Sequence, residues 1–210
     1  MGHTQSDTTA LDDLEYIKTL AQEGASTPLL GGRIGLMWGV LLSLTFFIQW
    51  GILSNTFDLP IQNLAYLWLA YSFIGVIGSI ILGRKIDKKA GVNSVSNRVD
   101  NHIWILFSGM MATLFVGIML NISFNDATVQ LFDLMVVVGF AGQGMAYGLT
   151  AKMSHIKWMH IAAFACFTMS AICFSAYGSF HIYLIGAIGA CITVIIPSVI
   201  TIRNEPKDVI

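Results

Sequence analysis

The sequence predicts an all-α, polytopic membrane protein with six transmembrane helices, preceded by a short amphipathic helix. Three observations predict this class. First, apolar residue types make up 55% of the 210 residues and charged types only 11%, whereas a typical soluble domain has roughly 25% charged residues. Second, six apolar runs are long enough to cross a bilayer. Third, the lysines and arginines are confined to alternate segments between those runs.

The apolar runs have the length of membrane-spanning helices. At ~1.5 Å per residue, runs of about 18 to 21 residues span roughly 27 to 32 Å, close to the ~30 Å of a hydrocarbon core. Backbone N–H and C=O groups in lipid have to pair within their own segment, so each run is predicted to be α-helical. The transmembrane unit is predicted over 30–203, with runs at 34–53, 64–83, 103–120, 131–149, 158–176 and 182–202.

The segment 1–29 is polar and acidic, and it contains the predicted amphipathic helix at about 10–23. Thr9 and Asp12 resemble a capping box at the start of this helix, and Gly24 is suited to its end. Because the segment does not begin basic and then apolar, it differs from a secretory signal, and we expect the first run to remain as a span. Acidic residues disfavour anionic lipid, so we expect this helix to lie on its own bundle or to dock against the basic loop.

The basic residues predict the orientation of the bundle. The loop between the second and third runs holds five of the eleven, and the others lie before the first run, in the fourth-to-fifth loop and after the sixth run. The three remaining loops hold none. Lysine and arginine are retained in cytoplasmic loops, so both termini are predicted to be cytoplasmic. We expect the membrane to be a bacterial inner (plasma) membrane. The five residues are Arg84, Lys85, Lys88, Lys89 and Arg98.

The fourth run is the most unusual of the six apolar runs. Asp133, Gln143 and Tyr147 share one helix face, and Gly144 and Gly148 lie beside them as a G-x-x-x-G motif. Small residues allow helices to approach closely, and buried amides hydrogen-bond across such contacts. This face is therefore predicted to point into the bundle.

Asp133 is interpreted as the acidic residue within a run. A carboxylate in hydrocarbon costs several kcal/mol, so such residues have a partner or a function. Asp133 falls about one turn inside the outer end, where we expect water or a packing partner, with an ion or proton site as the alternative. Gln49 lies at a similar depth and would pair with Asp133 if the first and fourth spans touched. Gln143 is expected to form an interhelical hydrogen bond, with Tyr147 in the same network.

Two further features concern packing. Pro197 removes the backbone hydrogen bond to the carbonyl of Thr193, which predicts a bend in the sixth helix. Gly35 and Gly39 form a second G-x-x-x-G motif, which serves contacts within the bundle or between copies of the chain.

No catalytic or cofactor motif is present. The sequence contains no H-E-x-x-H, no G-x-S-x-G and no P-loop, so catalysis is not expected. Cys166, Cys173 and Cys191 lie in apolar runs without a C-x-x-C and are interpreted as packing residues. His102 and His160 are the pair at a depth suited to haem, but the membrane interface explains them, and no cofactor or metal is expected. A net charge of −1 and the lack of a reading motif argue against a nucleic-acid partner.

Three functions fit these observations, and the one least expected, given the lack of catalytic motifs, is a membrane enzyme or redox subunit. The first is a small accessory or regulatory membrane protein that binds a partner protein, or another copy of itself, through its cytoplasmic face. The second is a transporter or channel for a small solute, ion or proton, lined by Asp133, Gln143, Tyr147 and Gln49. The contact surface predicted for the first comprises Arg84, Lys85, Lys88, Lys89, Arg98, Asp12, Asp13 and Glu15.

Overall fold

A computed structural model describes residues 28–89, 91–125 and 128–205, and the chain is helical without strands across these ranges. The predicted all-α class is confirmed there, while the predicted amphipathic helix at 10–23 lies outside the described residues. A 3₁₀ turn, Val129–Phe132, leads into the fourth helix, and a π-helical turn, Cys191–Ile195, joins the last two. The α-helices are α1 (Gly32–Leu53), α2 (Asn63–Ile86), α3 (Val95–Phe124), α4 (Asp133–Ser154), α5 (Met159–Ser175), α6 (His181–Ala190) and α7 (Ile196–Arg203).

Five helical stretches of the described chain are long and apolar enough to cross a membrane. They are α1, α2, α3, α4 with its preceding turn, and α6 continued through α7. Helix α5 is also apolar but has 17 residues and is shorter. Helix α3 has 30 residues, so it measures about 45 Å and extends beyond the apolar run 103–120 on both sides. These stretches identify the chain as an integral membrane helical bundle.

Contacts bring alternate helix ends together at two ends of the bundle. One end of the bundle brings together six helix ends: the start of α1, the end of α2, the start of α3, the end of α4, the start of α5 and the end of α7. Every lysine and arginine among the described residues belongs to this end, which we name the basic end. We name the other end the opposite end. It brings together the end of α1, the start of α2, the start of α4 and the α5–α6 connection.

Helices α1 and α4 organise the packing. Helix α1 packs against α2, α6 and α7, and α4 packs against α3 and α5. Helices α2 and α3 are peripheral: the main neighbour of α2 is α1, and that of α3 is α4. Large apolar side chains such as Tyr66, Phe73 and Phe115 are exposed on these two helices. Exposed apolar surface of this extent is expected where helices face lipid.

The two G-x-x-x-G motifs serve contacts within the bundle. A Cβ at Gly39 would meet Val194, and one at Gly35 would meet Ser198, so the first motif packs on the π turn and α7. In the second motif, Gly144 faces the ring of Phe167 on α5. The absence of a side chain at these positions brings the backbones close enough for the neighbouring residues to fill the space.

The main core lies where α1, α4, α5 and α6 meet. It is apolar, and its largest fully buried side chain is Phe140. A smaller cluster towards the basic end joins α4 to α5. The buried members of the main core are Phe46, Val136, Phe140, Cys173, Ile182, Tyr183 and Ala187.

Pro197 is accommodated by a change of helical register. The N–H of Ile196 donates to the carbonyl of Cys191, five residues back, which is the bonding pattern of a π-helix. Such an insertion re-routes the bonds that a proline interrupts. The hydroxyl of Thr193 donates to the carbonyl of Gly189 at 2.9 Å, which adds a polar contact to this turn. The sequence predicted a bend at Pro197, and the structure places an irregular turn directly before it.

Candidate functional site

Asp133 begins α4 at the opposite end and is buried, with 5% of its surface exposed. One carboxylate oxygen accepts a hydrogen bond from the Tyr183 hydroxyl at 2.7 Å, and the other accepts from the Gly178 N–H at 3.0 Å. Gly178 has a φ of +80°, which suits glycine and turns its N–H towards the carboxylate. Of the roles expected for Asp133, the structure supplies packing partners, because the bundle buries the carboxylate and provides two donors.

This carboxylate belongs to a group of polar side chains from four helices. The Gln49 side chain lies near the Tyr183 hydroxyl, and its Oε1 accepts a hydrogen bond from the Trp68 indole N–H at 2.9 Å. The sequence placed Gln49 and Asp133 at one depth, but Tyr183 lies between them. We call Asp133, Tyr183, Gln49 and Trp68 the opposite-end network. Tyr183 is not among the residues predicted from the sequence, although a phenol within an apolar run is itself a signal, since a buried hydroxyl needs a partner.

Gln143 lies further along α4 and is buried between Phe140 and Tyr147. Its Oε1 has no hydrogen-bond partner among the described residues. A buried acceptor left unpaired costs about 1 to 3 kcal/mol, so this oxygen would gain from a ligand that donates a hydrogen bond. The Tyr147 ring contacts Trp104 edge-on, with the ring centroids 5.4 Å apart, which ties α4 to α3.

Asn97 organises the basic end. Its Oδ1 accepts from the Leu30 N–H at 2.9 Å, and its Nδ2 donates to the carbonyls of Pro28 and Gly91 at 3.0 and 3.1 Å. The side chain is buried, so these bonds replace water that the amide would otherwise bind. Asn97 thereby holds the chain before α1 against the loop that follows α2. Asn97 is not predicted from the sequence, since nothing local distinguishes it from a solvated loop asparagine.

Asp100 is a second buried carboxylate in an apolar helix. Its Oδ1 accepts from the Thr150 hydroxyl at 2.8 Å and from the Trp104 indole N–H at 3.2 Å. These bonds join the start of α3 to the end of α4. Asp133 was interpreted as the one acidic residue within a span. This is wrong for the observed helices, because α3 begins at Val95 and so includes Asp100.

Glu205 gathers the charges at the basic end. Its carboxylate binds the Lys89 ammonium and lies 3.7 Å from the Arg33 guanidinium, and 6% of its side chain is exposed. Within the predicted contact surface, Lys89 is therefore bound internally by Glu205. The remaining basic members are exposed at this end, namely Arg84, Lys85, Lys88 and Arg98. Its acidic members Asp12, Asp13 and Glu15 lie outside the described residues.

Two cavities open at the basic end, and neither is lined by Gln143 or Asp133. The first has a volume of about 420 Å³ and lies between the chain before α1, the α4–α5 connection and the end of α7. The second has a volume of about 180 Å³ and lies between the end of α4 and the start of α5. The first is lined by Pro28, Leu29, Ile156, Lys157, Trp158, Thr201 and Asn204. The second is lined by Ala151, Lys152, His155, Lys157 and His160.

The fold and these sites define a class: an integral membrane helical bundle whose buried polar side chains join helices at both ends, with concave surfaces at the basic end. No protein-family model, no curated protein and no solved structure matches the chain.

Proposed function

We propose that the chain crosses the membrane six times and acts as an accessory or regulatory subunit that binds a partner protein at its basic end. The retention of lysine and arginine on the cytoplasmic side supports a cytoplasmic location for this end. The sixth crossing falls on α5, whose 17 residues are at the lower limit for a membrane helix. The alternation of helix ends along the chain supports the same count.

The observation that carries the proposal is the cavity of about 420 Å³ at the basic end. Its lining combines apolar surface from Leu29 and Ile156 with the large ring of Trp158, next to Lys157. A concave apolar surface with an aromatic residue and a charged rim is typical of the centre of a protein interface. Asn97 and Glu205 hold two of the contributing segments in place, so the surface is preformed and a partner loses little free energy in ordering it.

Filling this cavity is expected to release the partner. Asn204→Trp adds a ring at an exposed position of the lining without changing the net charge. The tagged protein would be purified from its native membrane, and the proteins retained with it quantified by mass spectrometry. We expect at least one stoichiometric partner, whose recovery falls about tenfold in the variant, which corresponds to about 1.4 kcal/mol of binding free energy.

The matched control for this experiment is Asn125→Trp. Asn125 is an exposed asparagine that follows a helix at the opposite end, so the control makes the same substitution away from the cavity. Recovery of the partner with this variant is expected to equal that of the wild type. An absence of any stoichiometric partner, or an equal loss in both variants, would contradict the proposal.

Gln143 supports a second candidate function, that of a small-solute, ion or proton transporter. Its unpaired Oε1 is an acceptor within the apolar part of the bundle, and intramembrane polar groups are candidates for a transport path. Asp133 supports this function less, because both of its carboxylate oxygens already accept hydrogen bonds from Tyr183 and Gly178. A solute would have to displace those donors before the carboxylate could bind it.

The Gln143→Leu variant tests the transport function without disturbing the fold. Leucine removes a buried unpaired oxygen, so stability is expected to be unchanged or slightly higher. If the chain is a transporter, flux of the transported ion or solute into proteoliposomes should fall at least about tenfold. Thr113→Val is the control, since Thr113 is exposed and bonds its own helix at the Gly109 carbonyl. Wild-type protein that moves no ion or solute in this assay would refute the transport function.

A further inference from the structure

The smaller cavity at the basic end concentrates positive charge. Among its lining residues, Lys152 and Lys157 are cationic, and His155 and His160 contribute imidazole N–H groups. Both ion pairs of the described chain are made by Glu205, so neither involves these four side chains. The cavity therefore presents a set of N–H donors without an acidic neighbour in its lining. Such a set fits an anion.

Apolar surface continues from this cavity along the same two helices. On α4, Leu149 and Met145 are exposed at about one and two turns from Lys152. On α5, Phe164 is exposed one turn beyond His160, with 73% of its surface accessible. The cationic cavity thus lies at the end of an apolar strip that runs into the membrane-length part of the bundle. A ligand that is anionic at one end and apolar along its length matches this arrangement.

We propose that the cavity binds the phosphate headgroup of an anionic phospholipid, with the acyl chains lying along α4 and α5. Lysine ammonium and histidine N–H groups form charge-assisted hydrogen bonds with phosphate oxygens. Basic pockets between transmembrane helices at the cytoplasmic side are suited to such headgroups. The volume of about 180 Å³ leaves room for a phosphate group and its adjoining glycerol carbons.

The backbone at His155 supports this role. His155 ends α4 with a φ of 57°, a left-handed conformation in which glycine or asparagine is usual. Glycine at this position would make the turn with less strain. The imidazole ring at the cavity is therefore not required by the turn itself, and binding of the headgroup supplies a reason for it.

The proposal is tested by native mass spectrometry. The purified full-length protein is titrated with short-chain phosphatidylglycerol or with short-chain phosphatidylcholine. The double variant Lys152→Gln/Lys157→Gln removes two cations from the cavity. Its control, Lys85→Gln/Lys88→Gln, removes two exposed cations from the same end but outside the cavity. We expect phosphatidylglycerol to bind the wild type at least about tenfold more tightly than phosphatidylcholine. The cavity variant should lose about tenfold in this affinity and the control less than about twofold.

The outcomes distinguish a specific lipid-binding site from non-specific attraction by surface charge. Equal losses in the two double variants would mean that surface charge alone attracts the lipid, and would overturn the proposal. Free glycerol phosphate is the second arm, because it carries the phosphate without acyl chains. If it displaced phosphatidylglycerol at equal concentration, the site would be one for soluble phosphates and the lipid proposal would be wrong.

A further variant, His155→Gly, tests the cavity in a protein that is expected to fold normally. Glycine adopts the left-handed conformation readily, so the melting temperature should be unchanged or higher. Affinity for phosphatidylglycerol is nevertheless expected to fall about threefold, because one donor to the phosphate is removed. Unchanged affinity in a variant that folds well would count against the cavity as the binding site.

Discussion

Asp133→Ala is expected to lower the free energy of unfolding by about 3 kcal/mol, the largest effect that we predict for a single polar residue. The substitution leaves the Tyr183 hydroxyl and the Gly178 N–H as buried donors without their acceptor. Each unsatisfied group costs about 1 to 3 kcal/mol, more where the lost partner is charged. Denaturant or thermal unfolding of the detergent-solubilised protein measures the effect.

The comparison variants identify the cause of this loss. Asp58→Ala removes an exposed carboxylate from the first connection at the opposite end, and its effect is expected to stay within about 0.5 kcal/mol. Asp133→Asn keeps one acceptor oxygen and should lie between the two. Tyr183→Phe and the double variant with Asp133→Ala should be non-additive, because the two side chains share one bond. If Asp133→Ala were as stable as Asp58→Ala, the opposite-end network would not be what joins these helices.

Gly75→Ala is expected to lower the free energy of unfolding by about 2 kcal/mol. A Cβ at this position would lie 2.1 Å from the ring of Trp38, too close for two carbon atoms. The ring cannot swing aside freely, since its N–H donates to Ser79 at 2.9 Å and its face is bordered by Tyr71. Because the main neighbour of α2 is α1, this contact largely determines how α2 attaches to the bundle.

The control variant for this prediction is expected to change the free energy of unfolding in the opposite direction. Gly83→Ala lies on the same helix, where a Cβ would meet nothing within 4 Å. Alanine is the better helix former by about 0.8 to 1 kcal/mol, so this variant should be slightly more stable than the wild type. Cross-linking of cysteines introduced into α1 and α2 would report their separation. Equal stability of the two alanine variants would show that the Trp38 contact does not constrain α2.

Buried polar side chains at both ends of the bundle have partners within the chain. Asp133, Asp100 and Asn97 each accept hydrogen bonds from another part of the chain, so they serve as joints between elements. A transport path needs polar groups that can exchange a bond to the protein for one to the solute. Gln143 retains an unpaired acceptor, whereas the two cavities described lie at the basic end.

The helices themselves were predictable because membrane-length apolar runs have one stable backbone conformation in lipid. The inward face of α4 was also predictable, since glycines and polar residues at helical spacing share a side, and Gly144 does contact α5. The partners of Asp133 were not. Its depth in the run left water and a packing partner open, and its surroundings depend on the α5–α6 connection, which lies 45 residues away in sequence.

The sequence by itself determined that the chain is helical and built for a membrane, because composition and run length act locally on each segment. Only the tertiary structure decided which polar groups meet. Three polar contacts join residues that are distant in sequence and carry no local signal. They are Asn97 with the Leu30 N–H, Asp100 with Thr150, and Glu205 with Lys89. The physical reason is that a hydrogen bond depends on where two helix ends come together, and this is set by the packing of small residues such as Gly39 and Gly75 along the whole bundle.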